Sequence, residues 1–138
     1  MKIFLDTNII LDIALKRQPY SGAAAKILKV SDFNHFHLFI SASMATDVFY
    51  VIRKIKGKAI SLTFLKDLLD TIDVCKVDKS ILLLALESDF ADFEDAVQHF
   101  AAVDAEVDML ITRNKKDYTT SSLKKSWSPK NLLMSICR

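Results

Sequence analysis

Four apolar-stem residues, Lys2–Leu5 (KIFL), stop abruptly at an aspartate, Asp6, and a helical pattern follows at once. A short apolar burst without alternation reads as a strand buried on both faces, which is the signature of a parallel sheet. The same unit recurs. His37–Ser41 (HLFIS), Ile72–Val77 (IDVCKV) and Asp108–Thr112 (DMLIT) are further strands. Helical stretches lie between them. Thr7 or Asn8 caps a first helix through Leu15, with Ile9, Ile10, Ile13 and Ala14 inward. A second spans Tyr20–Ser31 around Ala24, Ile27 and Leu28. Ser41 or Ser43 caps a third, whose stripe of Met44, Val48, Val51, Ile52 and Ile55 is ended by Gly57. Others cover Lys58–Asp70, the stretch from Asp78 to Glu87, a start at Phe93 or Asp95 running to Asp104, and Pro129 to Ile136. Strands alternating with helices imply βαβ units and a mostly parallel sheet.

Composition sharpens this. Only two Gly and two Pro among 138 residues disfavour turn-rich sandwiches and barrels, and half the chain is apolar. We expect one domain over residues 1–138. Cys75 and Cys137 fit no metal-ligand spacing, which suits a reducing, cytoplasmic setting. The MKIFLDTN start is no signal peptide, and no run is apolar enough to span a membrane. Charge is unevenly spread. Residues 1–70 carry net +4, residues 71–112 net −8 and residues 113–138 net +6. An acidic middle between basic flanks suits carboxylates beside a phosphate-binding rim, or ordinary solvated helix faces.

In open parallel sheets, ligands sit beyond the carboxyl ends of the strands. That rule singles out Asp6, the Ser41–Asp47 segment, the Val77–Asp78 turn and the Asn114–Asp117 segment. Asp6 reads as a ligand or as a helix cap, and Thr7 and Asn8 are equally able to cap. Asp47 touches the apolar stripe of its own helix. A carboxylate there is paired, metal-bound, or at a boundary where it escapes to water. The DFADFED run offers Asp89, Asp92, Glu94 and Asp95, any of which suits a helix N-terminus. Asp95 lies opposite a Phe93/Val97/Phe100 stripe and points inward only if the helix starts near Asp95 itself. Carboxylates without cysteine or repeated histidine suit Mg²⁺ or Mn²⁺ and not structural zinc. With basic flanks, they point to phosphodiester hydrolysis using one or two ions.

Other sites are weaker. The chain has no Gly-rich phosphate loop. His35, His37 and His99 share no spacing and read as surface or strand-face residues. Ser41 and Ser43 read as caps. Trp127 is a base-stacking candidate, but reads better as a packed or half-buried residue.

IFLDTNIILD (Ile3–Asp12), ISASMATDVFYVIRK (Ile40–Lys54), DFEDAVQ (Asp92–Gln98) and LITRNKKDY (Leu110–Tyr118), in this order and spacing, resemble the PIN domain, the nuclease fold of VapC-type toxins. The resemblance covers essentially the whole chain. It implies a three-layer α/β/α fold with a central parallel sheet of four to five strands. It implies catalytic and metal-binding roles for Asp6, Asp47, Asp95 and Asp117, with Asn114 as a further ligand and Asn8 and Thr112 in support. Asp47 stands where the family usually has glutamate, and Asn114 where many members have aspartate. The resemblance also implies Mg²⁺ or Mn²⁺, a single-stranded RNA or tRNA substrate, an antitoxin partner and a homodimer, with no membrane. The helices at Met44–Ile55 and Ile60–Leu69 are candidate contact surfaces, or simply core. The resulting expectation is a metal-dependent endoribonuclease of a toxin–antitoxin pair. The alternative is a catalytically weak PIN-like module that binds nucleic acid or a protein. A regulatory α/β domain phosphorylated on Asp6 is a poorer third.

Overall fold

A computed structural model describes residues 1–34, 36–113 and 126–136. Asn114, Asp117, His35 and Cys137 lie outside them, as does the side chain of Trp127. Five parallel strands form one sheet in the order β3-β2-β1-β4-β5. They are β1 (Lys2–Leu5), β2 (His37–Ser41), β3 (Asp73–Cys75), β4 (Met109–Ile111) and β5 (Ser126–Trp127). β1 is central, and its Ile3, Phe4 and Leu5 are fully buried. β3 is shorter than the expected Ile72–Val77, and β5 falls where no strand was expected.

The helices are α1 (Thr7–Ala14), α2 (Ser21–Asn34), α3 (Ala42–Lys56), α4 (Lys58–Thr71), α5 (Lys79–Leu86), α6 (Phe93–Asp104) and α7 (Pro129–Ile136). Right-handed crossovers require the helices that carry the chain from β1 to β3 to share one face. The return to β4 puts α5 and α6 on the other. The packing agrees: α1 contacts α2 and α3, α2 contacts α7, and α6 contacts α5, β2 and β3. This is the expected three-layer arrangement.

Local chemistry sets the boundaries. Ser41 Oγ accepts from Met44 N at 3.2 Å to start α3, and Gly57, at φ +90°, ends it. Few residue types tolerate that backbone. Asp78 caps α5 by accepting from Ile81 N at 3.1 Å. The third helix departs from expectation at its end, where Ile55 is 61% exposed. Its stripe drifts off the core in the last turn, which carries Arg53, Lys54 and Lys56. No described helix is long and apolar enough to cross a membrane.

Candidate active site

The chain leaves β1 toward β2 on one side, and β4 is laid down on the other. β1 and β4 therefore flank the point where the strand order reverses, the usual place for a ligand. Leu5 pairs with Ile111, so Asp6 and Thr112 emerge side by side. Asp6 N donates to Ile111 O at 3.0 Å. Thr112 Oγ1 donates to Asp6 Oδ2 at 2.7 Å, and Asp6 Oδ1 accepts from Thr7 N at 2.7 Å. Asp6 and Thr112 are both buried. Asp6 is thus the cap of α1, in place of the expected Thr7 or Asn8. Asn8 lies half-buried in the first helical turn. A cap and a strand-end carboxylate are one and the same residue here.

The opposite wall comes from α6. Asp92 caps it, accepting from Asp95 N at 3.0 Å. The helix starts at Phe93, and Asp95 is half-buried, one turn before buried Gln98. Of the expected Phe93/Val97/Phe100 stripe, Val97 is buried and Phe100 packs against the core, while Phe93, in the first turn, is 50% exposed. Ala96, Ala101 and Ala102 widen the buried face beyond that stripe. Gln98 Nε2 donates to Thr7 Oγ1 at 2.9 Å and so ties α6 to the start of α1. His99 is also buried, against Phe90 and Phe100, contrary to its expected surface or strand position. Burial holds its pKa below the usual histidine value.

Asp47 is exposed, in the second turn of α3. The boundary position with access to water is the one realised. Its neighbour across the gap is Glu94. Glu94 has its pKa pushed up to about 7, first by partial loss of solvation, then by the hydrogen bond and charge of Asp47, and then by Asp92 and Asp95. The Glu94 side chain is still largely solvated, so this reflects local crowding of carboxyls, and solvent screening keeps its effect on stability small. The acidic run had singled out Glu94 only as one of four candidates. What distinguishes it is that α3 and α6 approach each other, which no local pattern reveals.

The fully buried carboxylate of this region is Asp12. Arg113 clasps it in a bidentate pair, Nε to Oδ2 at 2.8 Å and an Nη to Oδ1 at 3.1 Å. Arg17 adds a longer contact at 3.8 Å. The Arg113 guanidinium carbon also lies 3.9 Å from the centroid of the Tyr20 ring. Desolvation of a carboxylate, the argument applied to Asp47, belongs to Asp12, which stands inside the apolar run IILDIAL.

The donor chemistry around the switch point is carboxylate oxygen, as a hard divalent cation requires. Two carboxyls that crowd each other, as Asp47 crowds Glu94, favour a cation between or beside them. Among the described residues, no three His, Cys, Asp or Glu side chains are gathered closely enough to enclose an ion. Mg²⁺ does not need such a cage, because it retains several waters and binds through one or two carboxylates.

A parallel α/β sheet with acidic side chains around its topological switch defines a class of fold with a strand-end acidic site. Residues 2–116 match the PIN domain family model, and the chain belongs to that family. It is 27% identical over 123 residues to Ribonuclease VapC1 of Aquifex aeolicus, covering 86% of this chain and 85% of that protein. Its fold is similar to that of VapBC2 from Rickettsia felis, solved with a promoter DNA fragment. There the TM-score is 0.71 at 18% identity, over 93% of this chain and 98% of that one. It is also similar to VapC20 of Mycobacterium tuberculosis, a toxin that cleaves the Sarcin-Ricin loop. The TM-score is 0.63 at 13% identity, over 78% of this chain and 86% of that one.

Proposed function

We propose that this chain is a divalent-metal-dependent endoribonuclease, the toxin of a toxin–antitoxin pair, acting in the cytoplasm. The observation that carries the reading is Asp6, a buried carboxylate at the sheet's switch point, oriented by Thr112 and the Thr7 amide. Family membership and the likeness to a VapC ribonuclease support it.

In this reading Asp6, Asp47 and Asp95, with Glu94 added to the set, surround a hydrated Mg²⁺ or Mn²⁺, one or two of them binding it directly and the rest through its waters. Asn114 and Asp117 are further candidates, and Asn8 is a supporting neighbour. The bound ion supplies an activated water and neutralises charge on the scissile phosphate. The chain's own groups do the rest. Thr112 and Thr7 N keep Asp6 in one orientation, and Gln98 holds the α6 carboxyls against the start of α1. Glu94 compensates for the short reach of Asp47. That weakens the alternative of a catalytically weak module.

Exposed apolar side chains suit the partner contacts. Tyr50 and Ile55 on α3 and Ile60 and Leu62 on α4 are all more than half or about half exposed. Patches of this kind mark protein contacts, here an antitoxin or a second copy of the chain. The test of catalysis is direct. Purified protein cleaves single-stranded RNA with Mg²⁺ or Mn²⁺ and not in chelator, and Asp6→Asn abolishes cleavage. Cleavage by Asp6→Asn at the parent's rate removes Asp6 from the mechanism.

A further inference from the structure

Arg113 directly follows the threonine that holds Asp6, and it points away from that carboxylate into the wall of a cleft. The cleft has a volume of about 400 Å³ and lies between the α1–α2 connection and the start of α7. Its lining includes Pro19, Tyr20, Ala23, Arg113, Pro129 and Lys130. A second hollow of about 380 Å³ shares Ala23 and Lys130 with it and extends between α2 and α7 past Lys26. Among the described residues, the two hollows are lined by three cations and no carboxylate.

We propose that this cleft binds a nucleotide of single-stranded RNA flanking the scissile phosphate. Its base lies among the Tyr20, Pro19 and Pro129 rings, and Lys130 and Lys26 lead the backbone along α2 and α7. The proposal rests on the ribonuclease reading and deepens it. Three observations carry it. First, the cleft is apolar and ring-lined beside cations, the combination that binds single strands without helical order. Second, Asp12 neutralises Arg113 and fixes it against Tyr20. Arg113 is therefore a rigid floor, which leaves the exposed Lys130 and Lys26 to meet phosphates. Third, Arg113 follows Asp6's partner Thr112 directly in the chain, so the Arg113 wall of the cleft stands one residue from the candidate active site. The exposed Lys130 and Lys26, with no carboxylate among the described lining residues, favour a polyanion over a peptide helix.

The test uses fluorescence anisotropy with labelled oligouridylate and oligoadenylate hexamers in EDTA, so that neither metal nor cleavage enters. We expect the parent to bind and Tyr20→Ala to bind roughly ten-fold more weakly, with Tyr20→Phe close to the parent. Lys130→Glu and Lys26→Glu, both at exposed positions, weaken binding and lower the salt dependence, by roughly 0.7 in log–log slope for each lost phosphate contact. Lys58→Glu, on the exposed surface of α4, binds as the parent does. Circular dichroism confirms that each variant is folded. The proposal is overturned if Tyr20→Ala and Lys130→Glu bind as tightly as the parent, or if the parent binds neither hexamer. If those variants keep RNA affinity but lose a co-expressed antitoxin, the cleft belongs to a protein segment and the proposal also falls. Metal-dependent cleavage lost in Asp6→Asn, alongside unaltered hexamer binding by the cleft variants, refutes the cleft alone and leaves the ribonuclease reading standing.

Discussion

Asp12 and the Glu94–Asp47 pair are carboxylates close to the same candidate site, yet their surroundings are opposite. Asp12 is fully buried and answered by two arginines. Glu94 and Asp47 are solvated and answered by each other, like charge against like. The first arrangement is complete as it stands and fastens two segments together. The second is improved by a cation. A buried acid near an active site is therefore no better a candidate ligand than an exposed one; what decides is which charge faces it.

The largest effect that tests this contrast is on stability. Removing one partner of a buried ion pair costs about 3 kcal/mol or more. Arg113→Met should therefore lower the urea midpoint markedly, while Glu94→Gln should leave it within about 0.5 kcal/mol, as surface changes do. Equal effects would erase the distinction. Next is Thr112→Val, which keeps the shape and removes the hydrogen bond that orients Asp6. Loss of such a supporting contact costs roughly 10–100-fold in metal affinity or activity. We expect that loss in RNA cleavage with the fold retained.

The smallest effect is a titration. In metal-free protein the Glu94 carboxyl, followed by carbon NMR, should titrate near the value of about 7 given by its surroundings. Asp47→Asn should move it back toward ordinary glutamate, because a major cause of the shift is gone. The sign for stability follows. A folded-state pKa above the unfolded value means the native state binds more protons between the two, so stability falls as pH rises through that window. Asp47→Asn should flatten that slope.

Much of the fold was legible in the chain because its strongest signals are short and bounded. KIFL and HLFIS are apolar bursts closed by capping residues, and β1 and β2 have those same limits. β5 was not legible. Ser126 and Trp127 carry no pattern, and pairing with Leu110 and Ile111 alone makes them a strand. The site was partly legible. Asp6 follows from the strand-end rule and the family motifs, and Asp95 from the motifs alone, because periodicity does not decide whether α6 begins at Phe93 or at Asp95. Glu94 and the Asp12–Arg113 pair arise from contacts across 47 and 101 positions of chain respectively, which periodicity does not see.

The central claim is that these carboxylates bind a divalent ion through Asp6. Calorimetric titration of Mn²⁺ into purified protein tests it without any substrate. The account predicts saturable binding at or below millimolar Mn²⁺, strongly weakened in Asp6→Asn and unaffected by Lys58→Glu. No binding heat from the parent at millimolar Mn²⁺, or the same isotherm from Asp6→Asn, would contradict it.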